Sequence, residues 1–63
     1  MQQYLLDKLI VIAANALTIG FNKSEIHDAF SKKGWSEEEI YLAIKAGEII
    51  FTDRIKFLNN KRS

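Results

Sequence analysis

His27 stands beside Asp28, and it is the only histidine of the chain. In a hydrolytic site such a carboxylate would orient the imidazole for proton transfer. That chemistry also needs a nucleophile and a third group at defined spacing, and none stands so around this pair. The pair reads instead as part of a solvated polar face. Glu37, Glu38 and Glu39 are consecutive carboxylates. A cation site requires oxygens that converge, whereas three successive helical positions face different ways. In the first turn of a helix they complement the positive end of its dipole. Cysteine is absent, which removes disulfides and thiolate metal sites. No glycine-rich phosphate loop occurs. The sequence therefore predicts no catalytic residues, no metal and no cofactor.

The elements that carry these residues are announced by an echo. Gly20-Phe21-Asn22-Lys23-Ser24-Glu25-Ile26 with Ala29-Phe30 matches Gly34-Trp35-Ser36-Glu37-Glu38-Glu39-Ile40 with Ala43-Ile44. Each copy spells a helix start. Asn22 and Ser36 are N-caps, and Glu25 and Glu39 stand three positions on, where a carboxylate reaches back to the cap N–H. Phe21 and Trp35 precede the caps and can close on Ile26 and Ile40 as hydrophobic staples. Gly20 and Gly34 fall where the preceding helix must stop, a position that favours positive φ. The repeat is one stereochemical recipe used twice, and it takes Glu25 and Glu39 out of any catalytic set.

A chain of 63 residues makes one domain, 1–63, and buries only about 60% of its unfolded surface. Such chains lean on disulfides, a metal or a partner subunit, and here the partner is the expected support. Hydrophobic residues make up 48% of the sequence, a surplus for a small monomer. The net charge of +1 exerts no global pull on nucleic acid. Positive charge does gather late, in Arg54, Lys56, Lys61 and Arg62. Met1-Gln2-Gln3-Tyr4 lacks a basic leader region. The apolar stretch from Leu5 to Ile19 falls short of the roughly 20 residues that span a bilayer and contains Asp7, Lys8, Asn15 and Thr18. A cytoplasmic protein without a membrane span is expected.

Apolar periodicity predicts helices over about 3–18, 23–33 and 37–46. The first carries two stripes, Leu6, Leu9, Ile10, Ala13 and Leu17 beside Leu5, Ile12, Ala16 and Ile19. So wide an apolar arc must be buried on more than one side. A homodimer is therefore predicted through Leu5, Leu6, Leu9, Ile12, Ala13 and Ala16. In the second helix Ile26, Ala29 and Phe30 turn inward; in the third, Ile40, Ala43 and Ile44 do so. Tyr41 and Leu42 lie off that stripe and suit a partner surface. Gly47 is expected to end or bend the third helix. Residues 48–58 read either as a fourth helix, continuing the stripe Ile40, Ile44, Gly47, Phe51, Ile55 and Leu58, or as a hairpin wing around Thr52-Asp53. The stripe favours helix, since Thr-Asp is a weak hairpin turn. Residues 59–63 are expected to fray.

Two resemblances follow. Ile19-Gly20-Phe21 with the helix after it resembles the Met-Gly-Phe loop and second helix of ubiquitin-associated (UBA-like) three-helix bundles. Ser36, Ile40 and Ile44 are similar to the cap and apolar positions of their third helix. Ile19 replaces the loop methionine, and Ile44-Lys45 stands where a leucine pair is usual. This resemblance implies a compact bundle that binds proteins. The run from Ser36 to Ile49 is similar to the recognition helix and wing start of excisionase-like helix-turn-helix DNA binders. That resemblance implies a DNA-binding regulator. Its candidate contacts are Lys23, Lys32, Arg54, Lys56, Lys61 and Arg62. Three glutamates at the head of the recognition helix would repel phosphate, which supplies much of DNA affinity.

The expectation is thus an all-α, small three-helix bundle of helix-turn-helix or UBA-like type. It would act without catalysis as a homodimeric regulatory protein that docks onto another protein, with DNA binding as the second reading. Phe21, Trp35, Tyr41 and Leu42 are the candidate partner contacts.

Overall fold

The computed structural model describes residues 3–62, with side chains over 4–59. The architecture is all-α. Helix α1 spans Gln3–Ile19, α2 spans Lys23–Lys32 and α3 spans Glu37–Arg62. The bundle is flat and elongated, 43 × 23 × 13 Å. Its long dimension belongs to α3, whose 26 residues rise about 39 Å.

Both junctions follow the recipe written in the sequence. At the end of α1, the Gly20 N–H donates to Leu17 O and the Phe21 N–H to Ala16 O, at 3.2 and 3.0 Å. At the end of α2, the Gly34 N–H donates to Ser31 O and the Trp35 N–H to Phe30 O, at 3.0 and 3.3 Å. This is the Schellman pattern at both ends, and it satisfies carbonyls that have no partner within the helix. It needs positive φ at the glycine, which is +124° at Gly20 and +95° at Gly34.

Each next helix then starts on a reciprocal capping box. The Glu25 N–H donates to Asn22 Oδ1 at 2.9 Å and the Asn22 N–H to Glu25 Oε1 at 3.0 Å. The Glu39 N–H donates to Ser36 Oγ at 3.2 Å and the Ser36 N–H to Glu39 Oε1 at 2.9 Å. Each cap supports its helix by about 1 kcal/mol.

Gly47 behaves differently, and here the structure corrects the sequence reading. Its φ is not positive, and α3 passes through it unbroken. The third helix and the fourth-helix alternative are one element, and the hairpin wing does not form. The stripe from Ile40 through Ile44 to Phe51 carries the helix across, because Gly47 faces α1. The helix also continues over the stretch expected to fray, as far as Arg62; Ser63 lies outside the described residues.

The core is small. Leu9, Ala13, Ile26, Phe30, Ile40, Ala43 and Ile44 form one buried cluster, with Ile10, Ala16, Leu17 and Trp35 packed against it. The contacts of α3 with α1 advance together along both helices, from Gly47 near Ala13 to Arg54 near Thr18. The two helices therefore run in the same sense, and α1 stops at Ile19. Beyond Arg54, α3 projects past it for roughly two turns, about 12 Å. Every described side chain from Thr52 onward is exposed.

Candidate functional site

Helix α2 divides the bundle surface into two recesses. On one flank, α2 faces α3 across a shallow open depression of about 450 Å³. Ile40 and Ile44 line it, with Lys23, His27, Glu37, Tyr41, Lys45 and Glu48 around them. Two pairs of charged or ionisable groups meet across the gap. Lys23 Nζ lies 2.8 Å from Glu48 Oε2. His27 Nε2 lies 3.0 and 2.9 Å from the two oxygens of Glu37. Asp28 Oδ1 is 3.8 Å from the other ring nitrogen. The hydrogen bond to Glu37 and that carboxylate's charge raise the His27 pKa above 6.5; slight burial opposes them, and Asp28 adds a smaller push upward. His27 is thus more than a solvated residue: it ties α2 to the first turn of α3. Both ring nitrogens face carboxylates, and the Glu37 contact fastens α2 to α3.

On the other flank, α2 stands off from α1 and leaves a smaller groove of about 170 Å³. Ile12 and Ala16 of α1, Phe21 of the loop, and Ile26, Ala29 and Phe30 of α2 line it, with Glu25 on its rim. Ile12 is 52% exposed and Phe21 48%. The groove reaches the α1–α2 loop, where Ile19, Gly20, Phe21 and Glu25 line a further recess. Ile19 is 76% exposed there.

A third surface is the outer face of α3. Tyr41, Leu42 and Ile49 are 60%, 43% and 65% exposed. Leu42 and Ile49, two turns apart, share the outer side of the helix, and Tyr41 stands about 100° round from Leu42, on the edge that borders the α2–α3 depression. The Lys45 ammonium lies over the Tyr41 ring, 5.9 Å from its centroid, within cation–π range.

The structure separates the residues expected to meet a partner. Phe21 lines the α1–α2 groove, and Tyr41 stands on the flank of α3 that borders the α2–α3 depression. Leu42 lies on the outer face of α3. Trp35 is half-buried and packed on the core, so a partner has little of it to touch. Ile49, which the sequence reading placed in an ambiguous segment, joins Leu42. The signal was available: Ile49 follows Leu42 by two turns once α3 is read through Gly47.

The expected dimer set needs a correction. Leu9 and Ala13 are 3% and 0% exposed, because α3 and α2 pack on them within one chain. Leu5, Leu6 and Ala16 are half-buried. Of the six, Ile12 is the exposed one. Ala14, left off both predicted stripes, is fully buried because Gly47 lets α3 approach it.

The basic residues are dispersed. Lys23 is paired with Glu48. The Arg54 guanidinium donates to Asn15 Oδ1 and Thr18 Oγ1 at 3.2 and 3.1 Å. Lys32 and Lys56 are exposed. The side chains of Lys61 and Arg62 lie outside the described set. Among the described residues, no helix is long and apolar enough to cross a membrane. Comparison of the chain with protein-family models, curated proteins and solved structures finds no match.

Proposed function

We propose that this protein is a small non-enzymatic regulatory module, homodimeric and cytoplasmic, that acts by docking onto another protein. The observation that carries this reading is the outer face of α3, where Leu42 and Ile49 stand exposed with Tyr41 at its edge although a core is already formed. Contiguous exposed apolar groups are costly in water and mark interaction sites. Aromatic side chains are enriched in protein interfaces. The homodimer draws on a separate surplus, the apolar side chains of the α1–α2 groove. The UBA-like resemblance agrees with a protein partner, since the Ile19-Gly20-Phe21 loop is presented at the surface.

The helix-turn-helix reading has less to draw on. Lys23 and Arg54, two of its phosphate contacts, are engaged within the chain, and the α3 head carries Glu37, Glu38 and Glu39. Two assays separate the readings. Capture of one specific protein from lysate should be lost in the Leu42→Glu, Ile49→Glu double variant and kept in Lys32→Glu. Fluorescence anisotropy with duplex DNA at about 50 mM salt should show no binding. Binding to DNA that falls steeply as salt rises would overturn the docking proposal.

A further inference from the structure

The projecting end of α3 and the groove between α1 and α2 are uncovered, and they lie at the same end of the bundle. Past Arg54, every described side chain of α3 is exposed, Ile55 by 41% and Leu58 by 59%. They stand three residues apart, on one side of the helix. A bare helical end gains little from its own hydrogen bonds and depends on packing for its stability. The groove runs up to the loop at Ile19 and Phe21, where α1 ends and the α3 projection begins. The charges are of opposite sign. The projecting end has Lys56, Lys61 and Arg62 with no acidic residue after Asp53, and Glu25 stands on the groove rim.

We infer that the occupant of each groove is the α3 end of a second copy, exchanged reciprocally in a two-fold dimer. A helix that overhangs its own bundle, set antiparallel to its copy, lies along the copy's body. It enters from the loop end, where the groove opens. Ile55 and Leu58 of one protomer then cover Ile12, Phe21 and Ala29 of the other. The two-fold axis repeats the contact, so both ends and both grooves are filled and nothing remains to propagate a chain of copies. The self-complementary placement singles out a second copy: each protomer carries one basic apolar helix end and one apolar groove with Glu25 on its rim, at matching positions. This inference rests on the homodimer reading above and names its surface.

The absence of cysteine permits a clean trapping experiment. Leu58→Cys and Ala29→Cys variants, both at exposed positions, are prepared separately, mixed and oxidised. The exchange predicts a disulfide-linked heterodimer in the mixture and little linkage in either variant alone. Sedimentation of the unmodified chain from about 1 µM to 1 mM should show a monomer–dimer equilibrium. Leu58→Glu and Ile12→Glu should each weaken it at least tenfold while far-ultraviolet circular dichroism keeps the helical signal. A dimer in which Leu58→Cys links to itself and not to Ala29→Cys would overturn the exchange and leave the homodimer reading standing. A monomer throughout that range would overturn both.

Discussion

A Cβ built on Gly47 would stand 2.9 Å from the Ala13 Cβ and 3.0 Å from the Ala14 backbone nitrogen. Gly47 is thus a point of close approach between α3 and α1, made possible by the absence of one methyl group. In an isolated helix Gly47→Ala would gain about 1 kcal/mol. Here the added carbon meets backbone, which cannot rotate away, and overpacking of this kind costs about 1–3 kcal/mol. The expected net result is a loss of stability, read as a fall of several degrees in the thermal midpoint by circular dichroism. Adding Ala13→Gly to Gly47→Ala should recover part of it, since the two changes share one contact. A Gly47→Ala variant more stable than the original would contradict the close-packing account.

Gly34 makes the opposite case. Its φ is +95° and a Cβ there would meet nothing within 4 Å, so the backbone alone sets the cost of a side chain. Gly34→Ala should lower stability by about 1–2 kcal/mol, and Gly34→Asn by less, because Asn tolerates the left-handed region. Equal midpoints for the two variants in urea denaturation would argue against a backbone origin.

The His27–Glu37 contact gives stability a pH dependence of defined sign. The His27 pKa is raised in the folded chain above its ordinary 6.5, chiefly by Glu37. The folded state then holds the proton more tightly than the unfolded state. The contribution is complete below 6.5 and is lost as pH rises through the raised value. Glu37→Gln should bring the His27 imidazole resonances back toward an ordinary titration by proton NMR and flatten this part of the pH–stability profile. Salt should weaken the effect, because the pair is open to water. An unchanged His27 titration in Glu37→Gln would remove Glu37 as its cause.

Arg54 ties α3 to the last turn of α1. Its guanidinium bridges Asn15 and Thr18, and the Thr18 hydroxyl in turn donates to Ala14 O at 2.8 Å. Arg54→Ala should cost little in global stability, under about 1 kcal/mol for exposed hydrogen bonds. It should speed amide exchange after residue 54 more than at Ile40 or Ile44. Uniform acceleration along α3 would mean that Arg54 supports the whole helix rather than its end.

Local stereochemistry was legible from residue types. The stops at Gly20 and Gly34, the caps at Asn22 and Ser36, and the roles of Glu25 and Glu39 depend on neighbours within a few positions. The inward residues of α2 followed from periodicity, apart from Ala29, which is exposed on the groove. On α3, Ile40, Ala43 and Ile44 are inward as expected. Tertiary structure decided what depends on distant partners. Gly47 reads as a helix stop by itself and becomes a crossing point only with Ala13 and Ala14 opposite. His27 finds Glu37 only because the α2–α3 turn brings the two helices together. Two apolar stripes on α1 are equivalent in sequence. The packing of α3 buried Leu9, Ala13 and Ala14, left Ile12 on the groove, and let the last turns of α3 run past the end of α1.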